Sequence, residues 1–142
     1  MIYLDTGCLL KLYYPEPEST RVAAIVSGSA IVFLALHELE FLNALELKLY
    51  RREASSAQVR AAASLVEQDV RSGVLYRVAV PWEDVLQEAA LAAKAYTRRF
   101  GCRTLDILHC SAARSLQAAS FVTTDARQRR LAQGFGLKCP TI

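Results

Sequence analysis

The chain opens with IYLDTG at residues 2–7, in which three apolar residues are followed at once by an acid, a hydroxyl side chain and a glycine. A short apolar run bounded by turn residues is typical of a buried strand that ends in a tight turn. A similar pattern returns near the other end of the chain, in FVTTD at residues 121–125. Both predicted strands therefore have an aspartate, Asp5 or Asp125, just past their carboxyl end.

The rest of the sequence alternates short apolar runs with longer helical patterns. Strands are predicted over residues 2–4, 30–35, 75–80 and 121–123, with an edge strand over 137–141. Helices are predicted over residues 8–14, 18–27, 36–52, 55–72, 82–99, 105–116 and 126–133. Strands that alternate with helices predict an α/β fold: a three-layer α/β/α sandwich around a mostly parallel sheet of four to five strands.

The sequence also predicts how some of these helices are buried and how they begin and end. Apolar residues surround nearly the whole 36–52 helix, so we expect it to be largely buried. Ser55 and Thr104 are expected to cap the helices that follow them. Gly73 and Gly101 are expected to end the helices that precede them.

Composition excludes several classes of protein. The chain has 142 residues, of which 53% are hydrophobic, and this is enough apolar surface to exclude intrinsic disorder. Its longest strongly apolar run, residues 31–36, is far shorter than the roughly 20 residues of a membrane helix. Asp5 and Lys11 interrupt the N-terminal apolar stretch, so no secretory signal is predicted. We expect one soluble, cytoplasmic domain over residues 1–142 with no membrane association.

The four cysteines and two histidines do not have the spacing of a zinc or redox site. No two cysteines are separated by two to four residues, and no second histidine follows His37-Glu38 at the position of a helical zinc motif. We expect all four cysteines to be reduced packing residues. The basic residues are more informative, since 13 of the 17 are arginine, a residue whose planar fork matches phosphate. Solvated helix ends are the alternative interpretation.

Four acids from distant parts of the chain are predicted to converge. Asp5 and Asp125 end strands, and ligands bind at the carboxyl ends of strands in open α/β sheets. Asp106 and Glu40 lie in the first turns of helices, and helix N-termini face the same edge of a parallel sheet. Clustered carboxylates repel one another unless a cation neutralises them, and Mg²⁺ and Mn²⁺ prefer oxygen ligands. The pattern therefore favours a metal-dependent nuclease, in which such ions activate water and orient a phosphodiester.

Each of these acids also has a simpler interpretation. Asp106 fits an acid favoured by a helix dipole, and Asp125 fits an N-cap. Asp5 fits an ordinary turn residue, and Glu40 fits a solvated helix face. Helical periodicity does not distinguish Glu40 from Glu38, because both share a stripe of the helix with apolar residues.

Four segments in order resemble the PIN-domain proteins, and more narrowly the VapC-type toxins, which are the ribonuclease halves of toxin–antitoxin pairs. The opening YLDT at 3–6, with KLY at 11–13 and PEPES at 15–19, is similar to their N-terminus. LEFLNAL at 39–45, RTLDILH at 103–109 and FVTTD at 121–125 are similar to their other acidic motifs. The resemblance covers essentially the whole chain. One departure is Gly7-Cys8, where serine or alanine is more usual after Asp-Thr.

The resemblance implies a PIN-like fold and specific roles. Asp5, Glu40 and Asp106 would be the core ligands of Mg²⁺ or Mn²⁺, and Asp125 a fourth acid that often acts through water. Glu40 is thereby chosen over Glu38. Thr6 would support the first aspartate, and Thr124 would support the site around the fourth acid. The arginines expected to bind RNA are Arg103, Arg127 and Arg129. The implied partners are an RNA substrate, a cognate antitoxin protein and a second copy of the chain in a homodimer.

Two other hypotheses compete with a metal-dependent endoribonuclease. A non-catalytic PIN-like module that binds RNA or a protein partner would keep the acids only as remnants. A phosphatase that uses Asp5 as nucleophile would need a second acid two residues later, but Gly7 occupies that position.

Overall fold

The computed structural model describes all of residues 1–142 and contains a four-stranded, all-parallel sheet. The strands are β1 (Ile2–Leu4), β2 (Ile31–Phe33), β3 (Leu75–Arg77) and β4 (Ser120–Val122), in the order β3-β2-β1-β4. The first and last strands of the chain are therefore neighbours, with Leu4 paired to Val122. The predicted α/β fold with a parallel sheet is confirmed.

The helices surround this sheet. They are α1 (Thr6–Tyr13), α2 (Ser19–Val26), α3 (Ala35–Tyr50), α4 (Ser56–Ser72), α5 (Trp82–Ala92), α6 (Arg98–Phe100), α7 (Thr104–Ser115) and α8 (Ala126–Gly134). A π-helical turn, Ala93–Thr97, joins α5 directly to α6, so the predicted 82–99 helix is continuous but not uniformly α-helical. Gly101 ends it with a φ of 66°, a conformation that glycine adopts without strain.

Two hydrophobic clusters cover the two faces of the sheet, because successive side chains of a strand point to opposite faces. Tyr3, Val32 and Phe121 belong to the cluster formed with α5, α7 and α8. Leu4 and Val122 belong to the cluster formed with α1, α2, α3 and α4. This is the predicted three-layer arrangement.

The carboxyl edge of the sheet collects strand ends and helix starts. The backbone N–H of Asp5, just past β1, donates to the carbonyl oxygen of Val122 at 3.0 Å, which aligns the ends of β1 and β4. Helix α1 starts one residue later, and α8 starts soon after β4. The first residues after both strands are thus held beside each other, on one side of the molecule.

Two expectations about burial and strands are wrong. The 36–52 helix is not largely buried: α3 buries only His37, Phe41 and Leu45, while Leu39 is 68% exposed. A helix packed on a sheet has one covered face, so leucines on its other face stay exposed however apolar the helix is. The edge strand over 137–141 is also absent, since β4 makes a single backbone hydrogen bond to this segment, from the Phe121 N–H to the Lys138 carbonyl oxygen at 2.8 Å.

The cysteines behave as expected. All four are free; Cys8, Cys102 and Cys110 are buried and Cys139 is half-buried. No helix has the length and apolar character needed to cross a membrane.

Candidate functional site

A polar cavity of about 240 Å³ opens at the carboxyl edge of the sheet. All four acids predicted from the sequence line it, namely Asp5, Glu40, Asp106 and Asp125. A larger cavity of about 510 Å³ lies at the opposite edge of the sheet, but its lining is mainly apolar and includes a single acid, Asp69. The cavity at the carboxyl edge is therefore the candidate functional site.

Asp5 is the most buried of the four acids, with 7% of its surface exposed. It is the N-cap of α1, and its Oδ1 accepts a hydrogen bond from the Cys8 N–H at 2.6 Å. Burial raises the pKa of the Asp5 carboxyl above its usual value, while hydrogen bonds from Thr123 and the Cys8 amide partly oppose that rise. A cation in the cavity would favour the ionised form of this carboxyl.

Glu40 is held by one of its two carboxylate oxygens. Its Oε2 accepts from the Thr6 hydroxyl at 2.7 Å and from Nε2 of His109 at 2.5 Å. Burial alone would raise the pKa of Glu40, but the hydrogen bonds from His109 and Thr6 hold that pKa below its usual value. Thr6, which was expected to support Asp5, therefore contacts Glu40 instead.

Asp106 and Asp125 both bind helix N-termini and face the cavity. Oδ2 of Asp106 accepts from the Arg103 backbone N–H at 3.0 Å, so Arg103 rather than the expected Thr104 is the N-cap of α7. Oδ1 of Asp125 accepts from the backbone N–H groups of Arg127 and Gln128, at 2.7 and 3.2 Å. Asp106 and Asp125 therefore each stabilise the start of a helix and also line the cavity.

Backbone N–H groups also affect the ionisation of Asp125. Burial would raise the pKa of Asp125, but these amides and the nearby guanidinium groups hold it below its usual value. Thr123 rather than the expected Thr124 supports this turn, because its hydroxyl accepts from the Asp125 N–H at 3.0 Å. Thr124 lines the cavity.

Three of the acids share one arrangement: one oxygen is held by the chain and the other is not hydrogen-bonded. These oxygens are Oε1 of Glu40 and Oδ1 of Asp106, which have no partner, and Oδ2 of Asp125, which lies 3.6 and 3.7 Å from the guanidinium groups of Arg103 and Arg127. A fixed carboxylate with one free oxygen suits a hard divalent cation such as Mg²⁺ or Mn²⁺. The donor set therefore fits such an ion by its chemistry, although no group of three or more of these side chains is already arranged to hold a metal.

A guanidinium supplies positive charge among these acids. Arg103 lies 3.4 Å from Asp106 and 3.6 Å from Asp125, measured between nitrogen and carboxylate oxygen, and its side chain is 69% exposed. Arg127 lies 3.7 Å from Oδ2 of Asp125. Arg129, expected to bind RNA, instead donates to the carbonyl oxygens of Thr123, Cys139 and Pro140. Arg103 thus lines the cavity and Arg127 lies beside one of its acids, whereas Arg129 holds the C-terminal segment.

The structure separates the two glutamates that periodicity could not. Glu38 forms a bidentate pair with Arg77, at 2.8 and 2.9 Å, on the exposed edge of the sheet. Glu40 lies two residues further round α3 and reaches the cavity. The register of α3 on the sheet decides between them.

Both histidines belong to this region, although no role was predicted for either of them. His109 contacts Glu40, Thr6 and the Tyr3 hydroxyl, the last at 2.9 Å from Nδ1. His37 accepts from the Leu34 N–H and donates to the Leu4 carbonyl oxygen, next to Asp5. Each lies three residues from a predicted acid, a helical spacing that places both side chains on one face and could have singled them out.

Comparison with known proteins identifies the family. The PIN domain model matches residues 2–134 of this chain. Among solved structures, FitAcB from Neisseria gonorrhoeae is similar with a TM-score of 0.63 and 16% identity, covering 99% of this chain and 97% of that chain. VapBC2 from Rickettsia felis, bound to a DNA fragment from its promoter, is similar with a TM-score of 0.63 and 15% identity, covering 99% of this chain and 98% of that chain. A search of curated proteins gives no match. The chain belongs to the PIN-domain family.

Proposed function

We propose that this protein is a metal-dependent endoribonuclease and the toxin of a VapBC-like toxin–antitoxin pair. The observation that carries the proposal is the cavity lined by Asp5, Glu40, Asp106 and Asp125, in which Glu40 and Asp106 each keep one oxygen without a partner. Membership of the PIN family, whose members are generally nucleases, supports hydrolysis of a nucleic acid. The sequence motifs resemble those of VapC toxins, which narrows the substrate to RNA.

Each residue of the cavity has a part in this mechanism. Asp5, Glu40 and Asp106 would hold the cation, and Asp125 would assist through water. When bound, Mg²⁺ or Mn²⁺ would supply a Lewis acid that polarises the phosphodiester and makes water more acidic. The chain itself orients the carboxylates through helix N-termini and side-chain hydrogen bonds.

Two arginines provide the contact with the RNA backbone. The exposed Arg103 and Arg127 lie beside the acids, where their guanidinium groups can bind the phosphates that flank the cleaved bond. A carboxylate cavity with no positive charge at its rim would repel RNA. These arginines therefore make an acidic site accessible to a polyanion.

The proposal includes a cytoplasmic location and two protein partners. The similarity to the VapBC2 and FitAcB structures supports a cognate antitoxin as partner. The resemblance of the sequence motifs to VapC toxins implies that this antitoxin covers the cavity in the inhibited state. A homodimer is supported by exposed leucines on the helical stretch from Val85 to Tyr96, Leu86 at 55% and Leu91 at 68% exposed.

Cleavage of RNA by the purified protein, freed of any partner, tests the proposal. We expect cleavage with Mn²⁺ or Mg²⁺, its loss with EDTA, and a loss of at least about 100-fold in Asp5→Asn, in the range expected when a catalytic metal site is damaged. Glu38→Gln is the matched control, because Glu38 lies on α3 but pairs with Arg77 outside the cavity. The same pair of variants should differ in toxicity when expressed.

The alternative, a non-catalytic module that binds RNA or protein, predicts the opposite result. Such a module would cut no RNA with either metal, and Asp5→Asn would be as toxic as the wild type. Either observation would overturn the nuclease proposal.

A further inference from the structure

We propose that His109 is a positioning residue for Glu40. Together with Thr6 it holds Glu40 by Oε2, so that Oε1 becomes the oxygen presented to a cation. Tyr3 fixes the imidazole from its other nitrogen. This role rests on the proposed function, because it concerns the cation that the same cavity binds.

The hydrogen positions follow from the chemistry of the partners. Nε2 of His109 lies 2.5 Å from Oε2 of Glu40, and an ionised carboxylate can only accept hydrogen bonds. Nε2 therefore carries a hydrogen and donates it. The Thr6 hydroxyl, at 2.7 Å, is the second donor to the same oxygen. Two donors on one oxygen fix the orientation of the carboxylate and leave Oε1 without a partner.

Tyr3 completes the arrangement from inside the protein. Its hydroxyl lies 2.9 Å from Nδ1 of His109, and it donates to that nitrogen when Nε2 carries the imidazole hydrogen. Tyr3 is fully buried in β1, and His109 is 3% exposed. Water therefore does not compete for either contact, and the ring is held in one orientation.

The hydrogen bonds of His37 differ from those of His109. Its ring lies 5.1 Å from that of His109, but both its nitrogens bond to backbone groups, the Leu34 N–H and the Leu4 carbonyl oxygen. His109 instead contacts only side chains, and one of them, Glu40, lines the cavity. His109 therefore contacts a residue that the proposed function makes a metal ligand, and residues in this position orient the ligands of metal sites.

Direct binding of Mn²⁺ in the absence of RNA tests this role, with free Mn²⁺ measured by electron paramagnetic resonance. His109→Leu removes the donor and should weaken Mn²⁺ binding by about 10- to 100-fold. His109→Gln keeps an N–H near the position of Nε2 and should recover most of that loss. Ser111→Ala is the matched control on α7, because the Ser111 hydroxyl is buried and has no hydrogen-bond partner. It should bind Mn²⁺ as the wild type does.

A second pair of variants keeps the test decisive if His109→Leu does not fold. Thr6→Val removes the other donor to Oε2 without changing side-chain shape and should also weaken Mn²⁺ binding, whereas Thr6→Ser should not. In a Glu40→Gln background, Thr6→Val or His109→Leu should cause no further loss, because both act through Glu40. Thermal unfolding without metal reports stability separately for every variant.

The possible outcomes separate this role from the proposed function. If Glu40→Gln weakens Mn²⁺ binding while His109→Leu and Thr6→Val bind normally, His109 has only a structural role and the cation site stands. If the wild type binds no Mn²⁺, or Glu40→Gln binds it as tightly as the wild type, the proposed site fails and this role fails with it.

Discussion

Nε2 of His37 donates a hydrogen bond to the carbonyl oxygen of Leu4 at 2.9 Å and thereby ties the start of α3 to the end of β1. The other ring nitrogen accepts from the Leu34 N–H, so the imidazole is neutral and both its nitrogens are used. Asp5, the residue after Leu4, is held in place by this contact. The position of a cavity acid thus depends on a histidine staying uncharged.

Acid should destabilise the protein through His37. Burial lowers the pKa of His37 from 6.5 to about 3. The unfolded chain binds this proton below about pH 6.5 and the folded protein does not until about pH 3, so stability falls as pH drops through this window. His37 contributes a slope of at most about 1.4 kcal/mol per pH unit to the free energy of unfolding. Urea unfolding from pH 7 to 4 measures it.

His37→Asn is the control for this pH dependence, since asparagine does not titrate. The variant should be less stable at pH 7 but should lose stability less steeply between pH 6 and 4. Parallel curves for variant and wild type would show that His37 is not responsible.

Replacing Arg103 should change cation binding and RNA binding in opposite directions. Arg103→Gln removes the positive charge that competes for Asp106 and Asp125, so Mn²⁺ affinity should rise. Because Arg103 is exposed, the gain should be about 1.5- to 5-fold and should shrink with added salt. The KM for RNA should increase at the same time. Arg77→Gln, which removes an exposed arginine outside the cavity, should change neither quantity.

Arg129 should contribute to the stability of the folded protein. Arg129→Ala removes hydrogen bonds to the carbonyl oxygens of Thr123, Cys139 and Pro140, which hold the C-terminal segment beside β4. We expect a loss of about 1.5–3 kcal/mol in the free energy of unfolding. The neighbouring Arg130 is exposed, so Arg130→Ala should stay within about 0.5 kcal/mol of the wild type. Equal stability of the two variants in urea would contradict this.

Glu16 should contribute more than an ordinary surface acid. It bridges Lys11 of α1 at 3.1 Å and Lys48 of α3 at 2.6 Å. Glu16→Gln leaves two partly buried ammonium groups without their shared partner, and we expect a loss of about 1–2 kcal/mol in urea unfolding. Glu67→Gln is the comparison, because the Glu67–Arg71 pair is largely exposed and such pairs contribute at most about 1 kcal/mol.

The carboxyl of Glu16 should also make the stability of the protein decrease in acid. Burial alone would raise the pKa of Glu16, but hydrogen bonds from Lys48 and Lys11 hold it below its usual value. The stability it contributes is therefore present above the unfolded value of 4.5 and is lost as pH falls through the lower folded value. In Glu16→Gln this part of the pH dependence should disappear.

The sequence predicted the features that depend on local patterns. Apolar runs followed by polar residues located β1 and β4, and Asp5 and Asp125 followed from their ends. Gly73 and Gly101 located helix ends, because positive φ angles favour glycine.

Local sequence patterns could not predict the features that depend on packing between distant elements. The choice of Glu40 over Glu38 depends on how α3 is rotated on the sheet. The contacts of His109 join α7 to β1 and α3, across more than 60 residues of sequence. The exposure of Leu39 depends on how far neighbouring helices extend over α3.

The pairing of β1 with β4 determines when the cavity can exist during synthesis. Asp5 and Glu40 leave the ribosome early, but Asp125 reaches the cavity only after β4 has docked on β1. A nascent chain that still lacks residues 120–126 cannot assemble the four acids. The cavity is therefore completed only after the three other strands of the sheet have been synthesised and β4 has taken its place beside β1.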